Sequence, residues 1–402
     1  MFWLSACSGQ PGPKATLGQL PLLSRSHRSF LHAASFFNAY LCGRPLSYNS
    51  PSYFCPMKKW LSFCLLTIWL VGCKPGNHSP DVSSIQVNVQ VQRFDKDFFA
   101  INHNQPDQDL TRLSRQYPDF FPAFLVNVLG IHPADTAAKA GIASFIRSYR
   151  SVYDTANIVA EKFLPDLEAG LTHSLQLFKH YLPAYRVDSP FVVITFIGPM
   201  DAFEPFALGD YGDVRTANGA GIALQFHLGP NASVYEEGKQ AGIFYDYQTR
   251  RFTPDMMLVN TMKNIITDYF PYRSDDDNLV NEMVEKGKRM YLLDMVLPDT
   301  PDSLKLGYTA EQVKGCYQNE ALIWNYFVKN DLLYTKENSI KKNYINDGPK
   351  TAELGDNAPG YIGLFCGLQL VKSYMKNHPD ATISQLMKTD AATLLNEAGY
   401  KP

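Results

Sequence analysis

Residues 191–196 read Phe-Val-Val-Ile-Thr-Phe, and this short run decides the fold class of the protein. A continuous stretch of β-branched and aromatic residues is typical of a strand that is buried on both faces. Gly198 follows the run and ends it. A second strand is predicted over residues 221–228, which stop at Gly229-Pro230. A third, half-buried strand is predicted where apolar and polar residues alternate, at Ile85, Val87, Val89 and Val91.

Helical periodicity, with apolar residues three or four positions apart, occupies most of the remaining sequence. Pro254 suits the first turn of a helix that we expect to end at Tyr269. Thr309 and Gln312 match a capping box at the start of another helix. The sequence therefore predicts a helix-dominated α+β fold, in a single domain with a small sheet of about three or four strands. The predicted helices are 107–117, 118–129, 136–153, 166–181, 254–269, 278–294, 309–331 and 360–377, and the predicted loops are 207–221 and 343–360.

The segment that starts at Met57 has the layout of a bacterial lipoprotein signal peptide, predicted to cover residues 57–72. Two lysines precede an uncharged apolar run, which is shorter than the about 20 residues that a transmembrane helix needs. Leu70-Val71-Gly72-Cys73 resembles a lipobox. We therefore expect cleavage before Cys73 and acylation of its thiol, because two or three acyl chains hold a protein stably at a membrane. The alternatives are an uncleaved signal anchor and a buried core helix.

The rest of the N-terminal region divides by composition. Residues 1–56 are rich in Ser, Pro and Gly and show no sustained periodicity, so no structure is expected there. Because a secretory signal normally lies at the N-terminus, we expect Met57 to be the true start. Residues 1–56 would then come from an overextended reading frame or form a disordered extension. Residues 73–83 are expected to be a tether, and residues 84–402 the folded domain.

Charge and cysteine usage narrow the classes of function. The formal net charge of −2 at pH 7 argues against a nucleic-acid-binding protein. Cys316 and Cys366 are the cysteines that follow Cys73 in the sequence. They could form a disulfide in an oxidising compartment, or remain free thiols buried on apolar helices.

No complete catalytic motif is present in the sequence. It contains no Gly-x-Ser-x-Gly elbow, no phosphate-binding loop and no His-Glu-x-x-His pair. Glu320 lies in an apolar stretch that ends in Trp324 and is the best single candidate for a buried functional acid. A purely structural role is the alternative for this residue. We therefore expect a protein that is not an enzyme and that uses no metal or cofactor.

Behind the lipobox, a series of short motifs occurs in a fixed order along the chain: residues 93–99 (RFDKDFF), 117–121 (YPDFF), 269–271 (YFP), 287–291 (GKRMY), 319–324 (NEALIW), 347–351 (DGPKT) and 359–363 (PGYIG). The ordered set resembles the gliding-motility lipoprotein GldB family of Bacteroidetes over nearly the whole mature chain. The resemblance implies a lipoprotein of the cell envelope, on the periplasmic side of the inner or outer membrane, with partners in the gliding or secretion machinery. It supplies no established catalytic residues.

A more distant resemblance is to predicted zinc peptidases of the gluzincin type. In those proteins a strand precedes a His-Glu-x-x-His helix, and a later helix supplies a glutamate ligand. Here Asn260 and Asn264 have the four-residue spacing, and Glu320 could fill the third position. Neutral amides are poor zinc ligands. The resemblance therefore implies a gluzincin-like scaffold that has lost its metal.

Three functions remain to be compared. The first is a non-catalytic envelope lipoprotein that binds partner proteins, which the missing catalytic set favours. The second is a metallopeptidase-like hydrolase, which predicts a cleft that places Glu320 beside other polar groups and a metal. The third is a carrier of lipids or small ligands, which predicts a large apolar pocket among the aromatic helices.

Overall fold

The computed structural model describes residues 79–102, 104–201, 212–272 and 277–402. The predicted start at Met57, the signal peptide and the acylated Cys73 lie outside these residues. Lys74–Pro402 forms one compact unit, and its fold is the predicted helix-dominated α+β domain with one small sheet. Every helix within the described ranges is too short or too polar to span a membrane.

The sheet has four strands in the order β1-β2-β4-β3. The strand β2 pairs in parallel with both β1 and β4, and β3 pairs antiparallel with β4. The prediction for residues 191–196 is confirmed by β2, whereas β1 is shorter than the predicted strand. The strands are β1 Val89–Gln92, β2 Phe191–Phe196, β3 Val214–Thr216 and β4 Gly219–Ala223.

The predicted strand over residues 221–228 was wrong in its second half. The strand β4 ends at Ala223, and Leu224–Phe226 forms a 3-10 turn. The Tyr235 hydroxyl donates to the carbonyl of Gln225 and accepts from the amide of Leu228. Because this side chain satisfies backbone groups that a strand would pair, the chain leaves the sheet there.

Sixteen α-helices surround the sheet in the described part of the chain. The predicted helix 254–269 is confirmed by α8, and the capping box of Thr309 and Gln312 starts α11, with bonds of 3.1 and 3.0 Å. The helices are α1 Phe94–Phe99, α2 Pro106–Gln116, α3 Phe120–Ala123, α4 Ala138–Ser148, α5 Arg150–Tyr181, α6 Ser233–Gln240, α7 Asp246–Thr249, α8 Met256–Tyr269, α9 Leu279–Val296, α10 Asp302–Leu306, α11 Ala310–Gln318, α12 Glu320–Lys329, α13 Asn338–Ile345, α14 Ile362–Asn377, α15 Ile383–Lys388 and α16 Ala391–Ala398.

Two predicted helix boundaries were wrong for identifiable reasons. The helix α5 continues through Pro165, which lies on its exposed face, while its buried face runs unbroken from Ala156 to Leu171. Packing of that face therefore outweighs the lost backbone hydrogen bond. The predicted helix 309–331 is broken at Asn319, whose side chain donates to the carbonyl of Gly315. An amide side chain that competes for a helical carbonyl favours a break there.

Two further predictions needed correction. The predicted helix 118–129 is interrupted, because α3 passes directly into a π-helix over Phe124–Val128. The predicted loop 343–360 contains the end of α13 and a 3-10 turn at Ala352–Leu354. Local propensity identified neither turn type.

Helices α9 and α14 cross at backbone contact in the centre of the C-terminal half. A Cβ atom on Gly367 would lie 1.7 Å from the carbonyl oxygen of Met283, and one on Gly287 would lie 2.2 Å from that of Gly367. Only glycine fits at this crossing. The glycine that begins the motif at residues 287–291 is therefore explained by helix packing.

Candidate functional site

A groove of about 580 Å³ lies over one face of the sheet, and we call it the sheet groove. Its floor is formed by β2, β3 and the turn that follows β3, and its wall by α3 and the π-helix. Its volume falls in the usual range of ligand-binding clefts. The residues that line it are Gln92, Gln116, Tyr117, Pro118, Asp119, Phe120, Ala123, Phe124, Asn127, Val128, Val192, Ile194, Phe196, Val214, Arg215, Thr216, Ala217 and Asn218.

The floor of the sheet groove follows from strand alternation and from two glycines. Successive side chains of a strand point to opposite faces, so Val192 and Ile194 face the groove while Val193 lies on the opposite face. The groove-facing partners of these two residues in β4 are Gly219 and Gly221. An added Cβ atom would lie 1.9 Å from the carbonyl oxygen of Val192 at Gly219 and 2.8 Å from Val214 Cγ2 at Gly221, so glycine is what lets the floor pack this closely.

The wall is built where two of the sequence motifs meet. The ring of Phe94 lies 5.1 Å from that of Tyr117 and 5.0 Å from those of Phe120 and Phe124. The Tyr117 hydroxyl donates to Asp97. Burial, together with this hydrogen bond, raises the pKa of Tyr117 well above its usual value. The motifs at residues 93–99 and 117–121 thus form one aromatic unit beside the sheet.

The π-helix shapes the exposed side of the wall. The amide of Leu129 donates to the carbonyl of Phe124 over 3.0 Å, five residues away. Phe124 is buried, whereas Val126 and Asn127 are exposed, and Asn127 reaches the groove. Single π-helical turns inside helices occur frequently at functional sites. This independent feature therefore points to the same place as the groove.

The base of the wall is tied to the sheet by a buried polar network. Asp95 is fully buried and pairs with Arg93 over 2.7 Å. Its other oxygen accepts from Thr195 of β2 over 2.5 Å, and Arg93 also donates to Asn157 of α5. A buried charge needs this degree of pairing. The network holds α1, β2 and α5 together behind the groove.

The rim of the sheet groove carries amide side chains. Gln92, Asn127 and Asn218 make no side-chain hydrogen bond within the described residues, and each amide can both donate and accept. Asp119 adds an exposed carboxylate. The side chain of Arg215 lies on the opposite face of the sheet. There it bonds to Asp268 and stacks on Phe191, on the same face as Val193.

The three residues of the predicted degenerate metal site, Asn260, Asn264 and Glu320, do not share hydrogen-bond partners among the described residues. Asn264 donates to the carbonyl of Asp213 over 3.2 Å, and Asn260 has a buried side-chain oxygen with no partner among the described residues. Glu320, at the start of α12, accepts from Tyr400 over 2.8 Å. No hydrogen bond in the described ranges joins Glu320 to the two asparagines. Those ranges also contain no cluster of three His, Cys, Asp or Glu side chains that could hold a metal ion.

A buried pair beside Asn264 was not predicted. His227 Nε2 lies 3.1 Å from Asp213 Oδ2, and Nδ1 lies 3.0 Å from the carbonyl oxygen of Thr253. Both ring nitrogens therefore lie within hydrogen-bonding distance of oxygen atoms. Asp213 also accepts the amide of Ala223. The pair anchors the chain just before β3, and no local sequence pattern links residues so far apart.

Cys316 and Cys366 are both free thiols buried in the C-terminal half. Of the two alternatives for these residues, the structure holds the free-thiol form. Burial raises the pKa of Cys316 to about 12 and that of Cys366 well above its usual value. Protonated buried thiols are chemically inert.

Comparison with known proteins identifies one family. The profile described as gliding motility protein GldB matches residues 76–402. A search of curated proteins and a search of solved structures each found no match. The matched range contains the groove, its aromatic wall and every motif that follows the lipobox. Since the match covers most of the chain, the protein belongs to the GldB family of gliding motility proteins.

Proposed function

We propose that this protein is an exported, lipid-anchored component of the gliding motility apparatus that holds a partner protein in the sheet groove without catalysis. Membership of the family supports the role in gliding motility and the association with the cell envelope. The observation that carries the binding role is the combination of an apolar floor, a π-helical wall and an amide rim in one place.

The chemistry of the lining favours binding over bond cleavage. The described lining residues include no His, Cys or Ser, which are the commonest nucleophiles and bases of hydrolases. The hydroxyl of Tyr117 is committed to Asp97, and burial holds it protonated. These side chains can orient a ligand but do not form a nucleophile–base pair.

The proposed anchor is the acylated thiol of Cys73, on the periplasmic side of the inner or outer membrane. The six residue steps from Cys73 to Ser79 can span at most about 22 Å. Ser79, where the described chain begins, would therefore lie within about 22 Å of the anchored thiol.

Complementation of a deletion strain tests the binding role. Ala123 is exposed and lines the groove, so Ala123→Trp places a large ring in its mouth without entering the core. Val126 lies on the neighbouring turn, is 43% exposed and does not line the groove, so Val126→Trp is the matched control. We expect Ala123→Trp to abolish surface spreading and envelope secretion, and Val126→Trp to restore both. Full activity of the folded Ala123→Trp protein would overturn the proposal.

A carrier of lipids or small ligands is the second candidate, because the groove is the kind of aromatic pocket that such a function requires. Phe120, Phe124 and Phe196 pack together along it, with ring centroids about 6 Å apart. Native mass spectrometry of the protein purified from its own envelope distinguishes the two functions. A bound lipid that Ala123→Trp removes would favour the carrier.

A further inference from the structure

We propose that the sheet groove accepts an extended, non-acidic polypeptide segment with large apolar side chains, supplied by another protein. This inference rests on the proposed function and names the chemistry of the partner. Three properties of the groove carry it: the shape and polarity of the floor, the hydrogen-bonding groups of the rim, and the charge of the rim.

The floor selects large apolar side chains. Val192 and Phe120 are half-buried although they belong to the apolar lining, so a ligand can remove their remaining surface from water. Burial of apolar surface contributes roughly 25 cal/mol per Å². Gly221 lets the apolar side chains of the floor pack closely, because an added Cβ atom would come within 2.8 Å of Val214 Cγ2. Side chains of the partner would cover the surface of Val192 and Phe120 that remains exposed.

The rim selects an extended backbone. Gln92, Asn127 and Asn218 each offer a donor and an acceptor, which is the pattern of a peptide group. A helical ligand has already paired its backbone groups internally, and an acyl chain has none to pair. An extended segment presents free N–H and C=O groups along its length and so can use all three amides.

The charge of the rim excludes acidic ligands. Asp119 places a carboxylate at the mouth of the groove. Arg215 is the cationic residue among the described lining residues, but its side chain pairs with Asp268 and the carbonyl of Gly219 on the other face. A fatty-acid carboxylate or a lipid phosphate would therefore meet a like charge without a compensating cation.

Selection from a displayed library of random octapeptides tests the inference, with the full-length protein immobilised in detergent. We expect enriched sequences to alternate large apolar with neutral polar or basic residues and to lack Asp and Glu. Synthetic copies should bind the Ala123→Trp protein at least about tenfold more weakly and the Val126→Trp protein equally well. Asn127→Leu should weaken binding about threefold to tenfold, because one or two hydrogen bonds are lost.

The control for the rim is Asn325→Leu, an exposed asparagine on α12, which should leave peptide affinity unchanged. Enrichment of acidic or helically patterned peptides would overturn the inference, and so would tight binding of a fluorescent palmitate analogue without peptide binding. If no peptide is enriched but Ala123→Trp abolishes spreading in cells, the result would contradict this inference and remain consistent with the proposed function. Normal spreading of cells that carry Ala123→Trp would contradict both this inference and the proposed function.

Discussion

The hydroxyl of Tyr117 donates a 2.6 Å hydrogen bond to Asp97 Oδ2, and this bond joins the two motifs that build the wall of the sheet groove. Tyr117 is buried and Asp97 is partly exposed. Beside this bond, the rings of Phe120 and Phe124 pack against the ring of Phe94. The wall therefore depends on a polar contact at its edge as well as on ring packing.

Tyr117→Phe removes this hydrogen bond and keeps the ring. We expect the free energy of unfolding to fall by about 1 kcal/mol, since partial exposure of Asp97 reduces the value of a charged hydrogen bond. Urea denaturation measures the change. Tyr334→Phe is the matched control, because Tyr334 is 67% exposed. Equal stability of the two variants would show that the bond does not support the wall.

Substitution of two helical glycines by alanine should change stability in opposite directions. Gly367→Ala would place a Cβ atom 1.7 Å from the carbonyl oxygen of Met283, so we expect a loss of more than about 2 kcal/mol. Gly315 lies in α11 with nothing within 4 Å of an added Cβ atom. Gly315→Ala should therefore stabilise the protein by about 0.5–1 kcal/mol. Thermal denaturation measures both changes. A Gly367→Ala protein as stable as the unsubstituted protein would contradict the close crossing of α9 and α14.

Stability should fall at alkaline pH because buried hydroxyls and thiols remain protonated in the fold. Burial raises the pKa of Cys316 from 9.0 to about 12, and burial raises those of Tyr235 and Tyr308 well above 10.0. The unfolded chain releases these protons first, so their contribution is complete below pH 9 and is lost as the pH rises toward 12.

Urea midpoints at pH 8, 9, 10 and 11 measure this loss, with tyrosinate absorbance as a second signal. Part of the tyrosine titration should coincide with unfolding. The contribution of the Cys316 thiol should disappear in Cys316→Ala, and that of the Cys366 thiol should remain. A midpoint that stays constant to pH 11 would contradict the burial of these groups.

The fold was predictable where local pattern and burial agree. The strand β2 and the helix α8 were predicted because Phe191–Phe196 is a continuous run of β-branched and aromatic residues and Pro254 marks a helix start. The capping box at Thr309 and Gln312 was predicted for the same local reason. These features depend on neighbours in sequence.

The sheet groove was not predictable in that way, because it depends on pairing between distant residues. Gly219 and Gly221 allow the close packing of the floor only because they pair beside Val192 and Ile194. The Asp213–His227 pair and the π-helix likewise follow from tertiary contacts. Of the candidate site residues, the sequence located the aromatic motif at residues 117–121 but gave it no role in a groove.

The membrane anchor yields a direct chemical prediction. Radiolabelled palmitate should attach to the protein in cells, and Cys73→Ser should abolish the label and release the protein from membranes. Cys316→Ala should keep both, because that thiol is buried in the folded domain. Label that persists in Cys73→Ser would show that the acylated residue lies elsewhere.

Site-specific photocrosslinking from the groove tests the central claim, that this protein works by holding a partner polypeptide, most directly. A photoreactive residue replaces Asn127 at the rim or, as the control, Ile158, which is 70% exposed on α5. We predict a crosslink from position 127 to an apolar, non-acidic segment of one envelope protein, lost when Ala123→Trp is added. Equal crosslinking from both positions, or crosslinking to lipid alone, would contradict the account.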